Sequence, residues 1–291
     1  MIDTHAHLQF KAFQGKVDQV IKSANDAGVE KIIAVGTNLE TSKKAVELVE
    51  KYEGLYASVG THPHHVFEYL KNEIATSSAS RRTPRNDVFA RSRSDEAISG
   101  LELLISHPKV VAIGETGIDR HIYENTKYRN YKITEEFIEL QKLFFKKQIR
   151  LAIKHKKSLI IHNREAVPEL LEILEANWDS FLEYRSVFHC CEPDHRLLEF
   201  ATLHNVYIGI DGDITYNLEK QEFMKKIPLE LLVLETDSPY FVPEPLKSAD
   251  IVLNEPRNLK YIAEFISRLK NEPIENVRML SSKNALALLR L

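Results

Sequence analysis

Residues 109–115 read KVVAIGE, five apolar or small residues in a row between a lysine and a glutamate. A strand with one wet face would alternate polar and apolar residues. An unbroken β-branched run is instead the mark of a parallel strand covered on both faces. The signature recurs along the chain: MIDTH at 1–5, KIIAVG at 31–36, LYASVG at 55–60, SLIIHN at 158–163, SVFHC at 186–190, VYIGI at 206–210 and LLVLETD at 231–237. Amphipathic stretches such as 16–27, 41–52, 134–156 and 165–177 lie between them, with Gly28 and Gly54 where helix C-terminal stops are expected. Strand and helix alternating eight times predict an α/β fold, a (β/α)8 TIM barrel forming one domain over 1–291. A doubly wound open sheet would not naturally need eight repeats.

Composition agrees with one large folded unit. The chain has 291 residues, 43% hydrophobic and 28% charged, enough for a sizeable core. A net charge of −3 argues against a protein whose main business is coating DNA non-specifically, yet leaves room for an enzyme that handles phosphates through bound metal ions. No apolar run approaches the roughly 20 residues that span a bilayer. No basic region followed by an apolar stretch opens the chain, and its two cysteines, Cys190 and Cys191, are adjacent, so a disulfide framework is not available. A cytoplasmic protein, with no membrane association and no obligate protein partner, is expected. A monomer is the expected state.

One segment breaks the rhythm. Residues 77–98, SSASRRTPRNDVFARSRSDEAI, carry five arginines, and no lysine occurs between Lys71 and Lys109. It is expected to be a flexible, solvated, Arg-rich surface insertion between strands 3 and 4; an arginine-rich arm for nucleic acid is the alternative.

The chemistry gathers at one end of the strands. Side chains alternate along a strand, so His5 and His7 face the same way. Glu115, His162, His189 and Asp237 close strands 4, 5, 6 and 8. Six groups of metal-ligand type thus fall at C-terminal strand ends, where (β/α)8 enzymes build their active sites. A lone histidine there is commonly a satisfied core residue and a strand-final acid a helix cap, but chance would scatter such residues over both ends. Imidazoles with carboxylates suit a divalent ion such as Zn²⁺, Mn²⁺ or Mg²⁺. Six ligands exceed one tetrahedral site, so Glu115 is expected to bridge two ions at roughly 3.5–4 Å and a bridging water to become the nucleophilic hydroxide.

In order, HAH, GTHPHH, IGETGID, IIHNREA, FHC and ETDSP resemble the motifs of the TatD-type metal-dependent deoxyribonucleases, from residue 1 to the end apart from the insertion. The resemblance implies a metallo-dependent hydrolase barrel and hydrolysis of phosphodiester bonds in DNA with two divalent cations. Matched motif by motif, it implies one ion on His5, His7, Glu115 and Asp237, and a second on Glu115, His162 and His189. Asp237 can also orient the attacking water or take its proton, which with Glu115 makes the catalytic pair.

Other positions stay open. His62, in GTHPHH, matches a segment that in the family lies near the substrate phosphate, and is read equally as a loop residue; for His64 and His65 the loop role is preferred. Arg164 can clamp a phosphate oxygen or pair with Glu165 or another acid. Glu235 is read as structural, and Cys190 and Cys191 as small buried residues, not ligands. The chain departs from the family after FHC, where Cys191, Glu192 and Pro193 replace an aromatic and a small-residue turn. It departs again at Leu253-Asn254-Glu255-Pro256 and in the terminal SSKNALALLRL, which lacks a phenylalanine. An amidohydrolase cleaving cyclic amides or esters is the second enzyme reading, weakened because those enzymes often carry a modified lysine where Glu115 stands. A non-catalytic metal-binding scaffold is the third, and the full ligand set argues against it.

Overall fold

The computed structural model describes residues 1–70 and 84–291, and for 84–93 the backbone alone. Among these residues eight strands form one sheet in chain order, every neighbouring pair parallel. They are β1 (Ile2–Ala6), β2 (Lys31–Val35), β3 (Leu55–Val59), β4 (Val110–Asp119), β5 (Ser158–Arg164), β6 (Ser186–Phe188), β7 (Tyr207–Ile210) and β8 (Leu232–Leu234). Helices alternate with them: α1 (Val17–Asp26), α2 (Leu39–Val49), α3 (Pro84–Ile105), α4 (Glu135–His155), α5 (Val167–Asn177), α6 (His195–His204) and α7 (Leu218–Met224). Two more, α8 (Leu259–Lys270) and α9 (Ile274–Leu289), follow β8. The barrel closes just past β8, where Ala6 bridges Ser238 in parallel.

Each local choice has a visible cause. Asn38 accepts from the Thr41 amide and Thr41 reaches back, a capping box that starts α2. Thr134 caps α4, and Glu135 and Glu136 follow in its first turn, where the helix dipole favours negative charge. Gly28 takes a positive φ of 81° directly after the C-cap of α1, as a helix stop requires, whereas α2 ends at Val49 and Gly54, also at positive φ, shapes the turn into β3 instead.

Alternation along the strands separates two apolar layers. Ile32 and Ala34 of β2 pack in the large cluster with Val20, Ile21 and Ala24 of α1. Ile33 and Val35 join Val111, Ile160, Val187 and Val233 in a smaller one, together with Ala285, Leu288 and Leu289 at the end of α9. The smaller cluster is the barrel interior, with the last turns of α9 packed against it. Near its end β1 changes phase: Asp3 pairs with Ile32 but Ala6 with Ala34, three residues against two. β4 does the same between Ile113 and Thr116, opposite Leu159 and Ile161. A bulge of this kind turns the residues beyond it to the other face. His5, His7 and Glu115 lie at or beyond these two points.

Of the expected insertion 77–98, residues 77–83 lie outside the described residues. The remainder falls within α3, and residues 94–98 are part of the crossover helix, with Ser94 and Ala97 buried. The apolar spacing Ala97–Leu101–Ile105 supplies the reason, since it lays one side of the helix on the core. Among the described residues no helix is long and apolar enough to cross a membrane.

Candidate metal centre

Barrel closure builds the site. The Asp237 amide donates to the His5 carbonyl at 2.9 Å, and the His7 amide to the Ser238 carbonyl at 2.8 Å. These bonds zip the end of β1 to the segment after β8 and set His5, His7 and Asp237 side by side. His7 Nε2 lies 3.2 Å from Asp237 Oδ1, while its Nδ1 donates to the Val35 carbonyl at 2.8 Å, which leaves Nε2 facing the centre. His5 Nε2 is 3.5 Å from Glu115 Oε2 and 3.7 Å from Asp237 Oδ1.

Glu115 is the hub. Its Oε1 lies 2.8 Å from His162 Nδ1, 3.5 Å from His62 Nε2 and 3.7 Å from His189 Nε2. All six expected ligands therefore converge, each of them buried except half-buried His162. Donor atoms fall into groups within 4.8 Å of one another: His5, His7 and Glu115; His5, His189 and Asp237; and His62, Asp119 and His162. The structure brings His189 beside His5, with rings stacked at 3.4 Å, and sets His162 with His62 and Asp119. Glu115 stands between the two sets.

The carboxylates and imidazoles of the centre bias one another's charge. Burial alone would raise Glu115, but His62, His189 and His162 hold it well below the usual carboxylate range. Burial would lower His189, yet Glu235 and Glu115 raise it to about 10. Against the same burial, Asp119 and Glu115 raise His162 to about 9, and Asp237 raises His7. His5 is pushed down by burial and by the neighbouring His189, and His62 further down by burial and His162. Both ring nitrogens of His5 and Oδ1 of Asp237 are buried without a hydrogen-bond partner. Leaving such atoms unpaired costs about 1–3 kcal/mol each, a deficit that a cation between them removes. Imidazole and carboxylate are also the donor set that divalent ions prefer, and a cation would displace the protons that the carboxylates hold on His7, His162 and His189, so these residues fit a metal.

One supporting residue, Asp119, was not singled out from the sequence, and another, Glu235, was read only as structural. Asp119, fully buried, lies 3.2 Å from His162 Nε2, accepts from the Tyr123 hydroxyl at 2.7 Å, and is held to about 2 against its burial by His162. Its signal was present in IGETGID, where Glu115, Gly117 and Asp119 follow the strand period of two. Glu235 sits 2.9 Å from His189 Nδ1, a contact poorly aligned for a hydrogen bond and so an ion pair; it also accepts from the Cys190 amide at 2.5 Å. Its structural role is to hold a candidate ligand.

Above the centre opens a cleft of about 880 Å³. His62 and Arg164 both line it. Arg164 is not paired with Glu165, which bonds His121 Nδ1 at 2.7 Å; its guanidinium lies over the Tyr123 ring at 5.3 Å. His64 and His65 are held in the loop by Thr126 and Tyr128. Cys191 is buried. Cys190 opens on the cleft and groups with Asp211 and Asp213, but the Lys220 ammonium already lies 2.7 Å from Asp213 and 3.5 Å from Asp211.

Comparison with known proteins places this geometry. A family model described as TatD related DNase matches residues 2–290. A Bacillus subtilis protein named as the uncharacterized metal-dependent hydrolase YabD is 30% identical over 100% of this chain and 99% of its own. The Escherichia coli protein named 3'-5' ssDNA/RNA exonuclease TatD is 30% identical over 94% of this chain and 92% of its own. Among solved structures, the TatD homologue YjjV from Escherichia coli superposes with a TM-score of 0.79 at 25% identity, covering 100% of this chain and 98% of that one.

Proposed function

We infer the reaction from descent: the chain belongs to the TatD related DNase family and is a metal-dependent hydrolase acting on ester bonds. Its substrate, on our reading, is a single-stranded nucleic acid, DNA above all, from which it releases nucleotides at the 3′ end. The observation that carries the reading is the convergence of four histidines with Glu115 and Asp237 under a cleft of about 880 Å³. A relative named as a 3'-5' ssDNA/RNA exonuclease, 30% identical to this chain, supports the substrate class.

His5, His7, Glu115 and Asp237 would hold one divalent cation, and Glu115, His162 and His189 a second, each Mg²⁺, Mn²⁺ or Zn²⁺. Such ions acidify a water and neutralise charge on the phosphate. Asp119 orients His162, and Glu235 orients His189, as carboxylates behind ligating imidazoles do. Arg164 receives a phosphate oxygen with its planar fork, pre-positioned over Tyr123, and His62 meets the phosphate from the opposite loop. Asp237, which stands at the mouth of the centre on the cleft, takes the proton from the attacking water.

The test is release of nucleotides from a labelled single-stranded oligonucleotide. Divalent metal is expected to stimulate it, and a chelator or Glu115→Ala to suppress it. A folded, metal-loaded protein that hydrolyses no DNA, RNA or small phosphodiester overturns the reading.

A further inference from the structure

The cleft has walls of different character. One, from the loop after β1 and the segment after β8, is apolar and aromatic: Phe10, Pro239, Tyr240, Phe241 and Val242. The wall from the loops after β6 and β7 is acidic, carrying Glu192, Asp213 and Glu219. Its lysine, Lys220, is almost wholly buried and already committed to Asp213 and Asp211. Among the described lining residues Arg164 is then the one cation not paired with a carboxylate.

Carboxylates in a cleft for a polyanion need a reason. Glu192 is held at both of its oxygens. One oxygen accepts from the side-chain amide of Asn163, and Oε1 accepts from the Glu165 amide at 2.9 Å. Asn163 and Glu165 flank Arg164 in the chain, and both Arg164 and Glu192 line the cleft. It is thus fixed on the wall of the cleft that Arg164 also lines, with lone pairs to spare on both oxygens. A phosphate at that place would meet a like charge that cannot swing away; a sugar hydroxyl would find an acceptor.

Resting on the exonuclease reading above, we propose that Glu192 is a specificity-determining residue that accepts a hydrogen bond from the terminal 3′-hydroxyl of the strand and rejects a strand ending in a phosphate. On this account the acidic wall marks where the substrate stops, and a continuing backbone is turned away by the same charge.

The experiment compares kcat/KM on two single-stranded oligonucleotides identical except for a 3′-hydroxyl or a 3′-phosphate, with kcat and KM separated. The wild-type protein is expected to prefer the hydroxyl at least tenfold, mainly through KM. Glu192→Gln is expected to bring the ratio below threefold, by slowing the hydroxyl substrate and quickening the phosphate one. Its fold is protected, because Asn163 Oδ1 has no partner and that amide can turn over to accept from the new glutamine. Glu192→Asp, which keeps the charge, is expected to retain much of the preference, a rescue that a purely structural role would not give. Equal rates on both ends by the wild-type protein, or an unchanged ratio in folded Glu192→Gln, overturns the inference while leaving the nuclease reading intact. Failure to hydrolyse any oligonucleotide overturns both.

Discussion

Removing metal exposes a pH dependence whose sign follows from the two raised histidines. In the metal-free protein His189 is held at about 10 and His162 at about 9, against 6.5 for a free imidazole. Below pH 6.5 folded and unfolded chains both keep these protons, and the full stabilisation is present. Above it the unfolded chain releases them while the folded chain retains them, so stability declines until about pH 9–10. At about 1.4 kcal/mol per pH unit the two histidines set an upper bound of about 8 kcal/mol. They share Glu115 as counter-ion, so roughly half of that, about 4 kcal/mol, is expected. With an unfolding entropy of about 2.1 cal/mol/K per residue, the melting temperature should drop by about 7 °C. The assay is a thermal melt by circular dichroism from pH 6 to 10 with chelator present. Glu235→Gln, which removes the partner of His189, should flatten the upper part of the curve. A melting temperature that is constant or rises between pH 7 and 9.5 would refute this account of the charges.

Three further outcomes are expected. Saturating divalent metal should raise the melting temperature by about 4 °C, from about 2.7 kcal/mol of linkage at 100 times Kd, and chelator should reverse it in the same melt. Arg164→Lys keeps the charge but loses the fork, so KM for an oligonucleotide should rise about tenfold with kcat little changed, read from initial rates. Gly209→Ala would place a Cβ 2.5 Å from the Glu235 carboxylate, which is buried and cannot yield; a loss of about 1–3 kcal/mol in denaturant unfolding is expected, together with reduced activity.

Much was legible because the relevant physics is local. Runs such as KVVAIGE and KIIAVG identified strands from residue type alone, and observed β2 and β5 begin at the residues where the sequence set them. The candidate ligands were legible for a related reason: in a parallel barrel a residue at the C-terminal end of one strand shares the mouth with those of all the others. Asp119 was passed over because β4 was expected to stop at Glu115, whereas it continues to Asp119 with the whole strand buried. The period-two spacing of Glu115, Gly117 and Asp119 was the one local sign of that extension, and the pairing with β5 that fixes it lies elsewhere in the chain.

The sequence by itself determined the eight alternating elements, the side of the barrel that bears the chemistry, and the residue types gathered there. Tertiary structure alone decided which way the ligands point. Strict alternation from Ile2, which lies in the barrel interior, would turn His5 and His7 away from the centre; the extra residue in β1 reverses that phase. The extra residue is defined only by what stands opposite on β2. Tertiary structure also paired Glu235 with His189 and committed Lys220 to Asp211 and Asp213. Those partners lie 46, 9 and 7 positions apart in the chain and meet only because barrel closure and neighbouring loops bring them together, an arrangement no local propensity encodes.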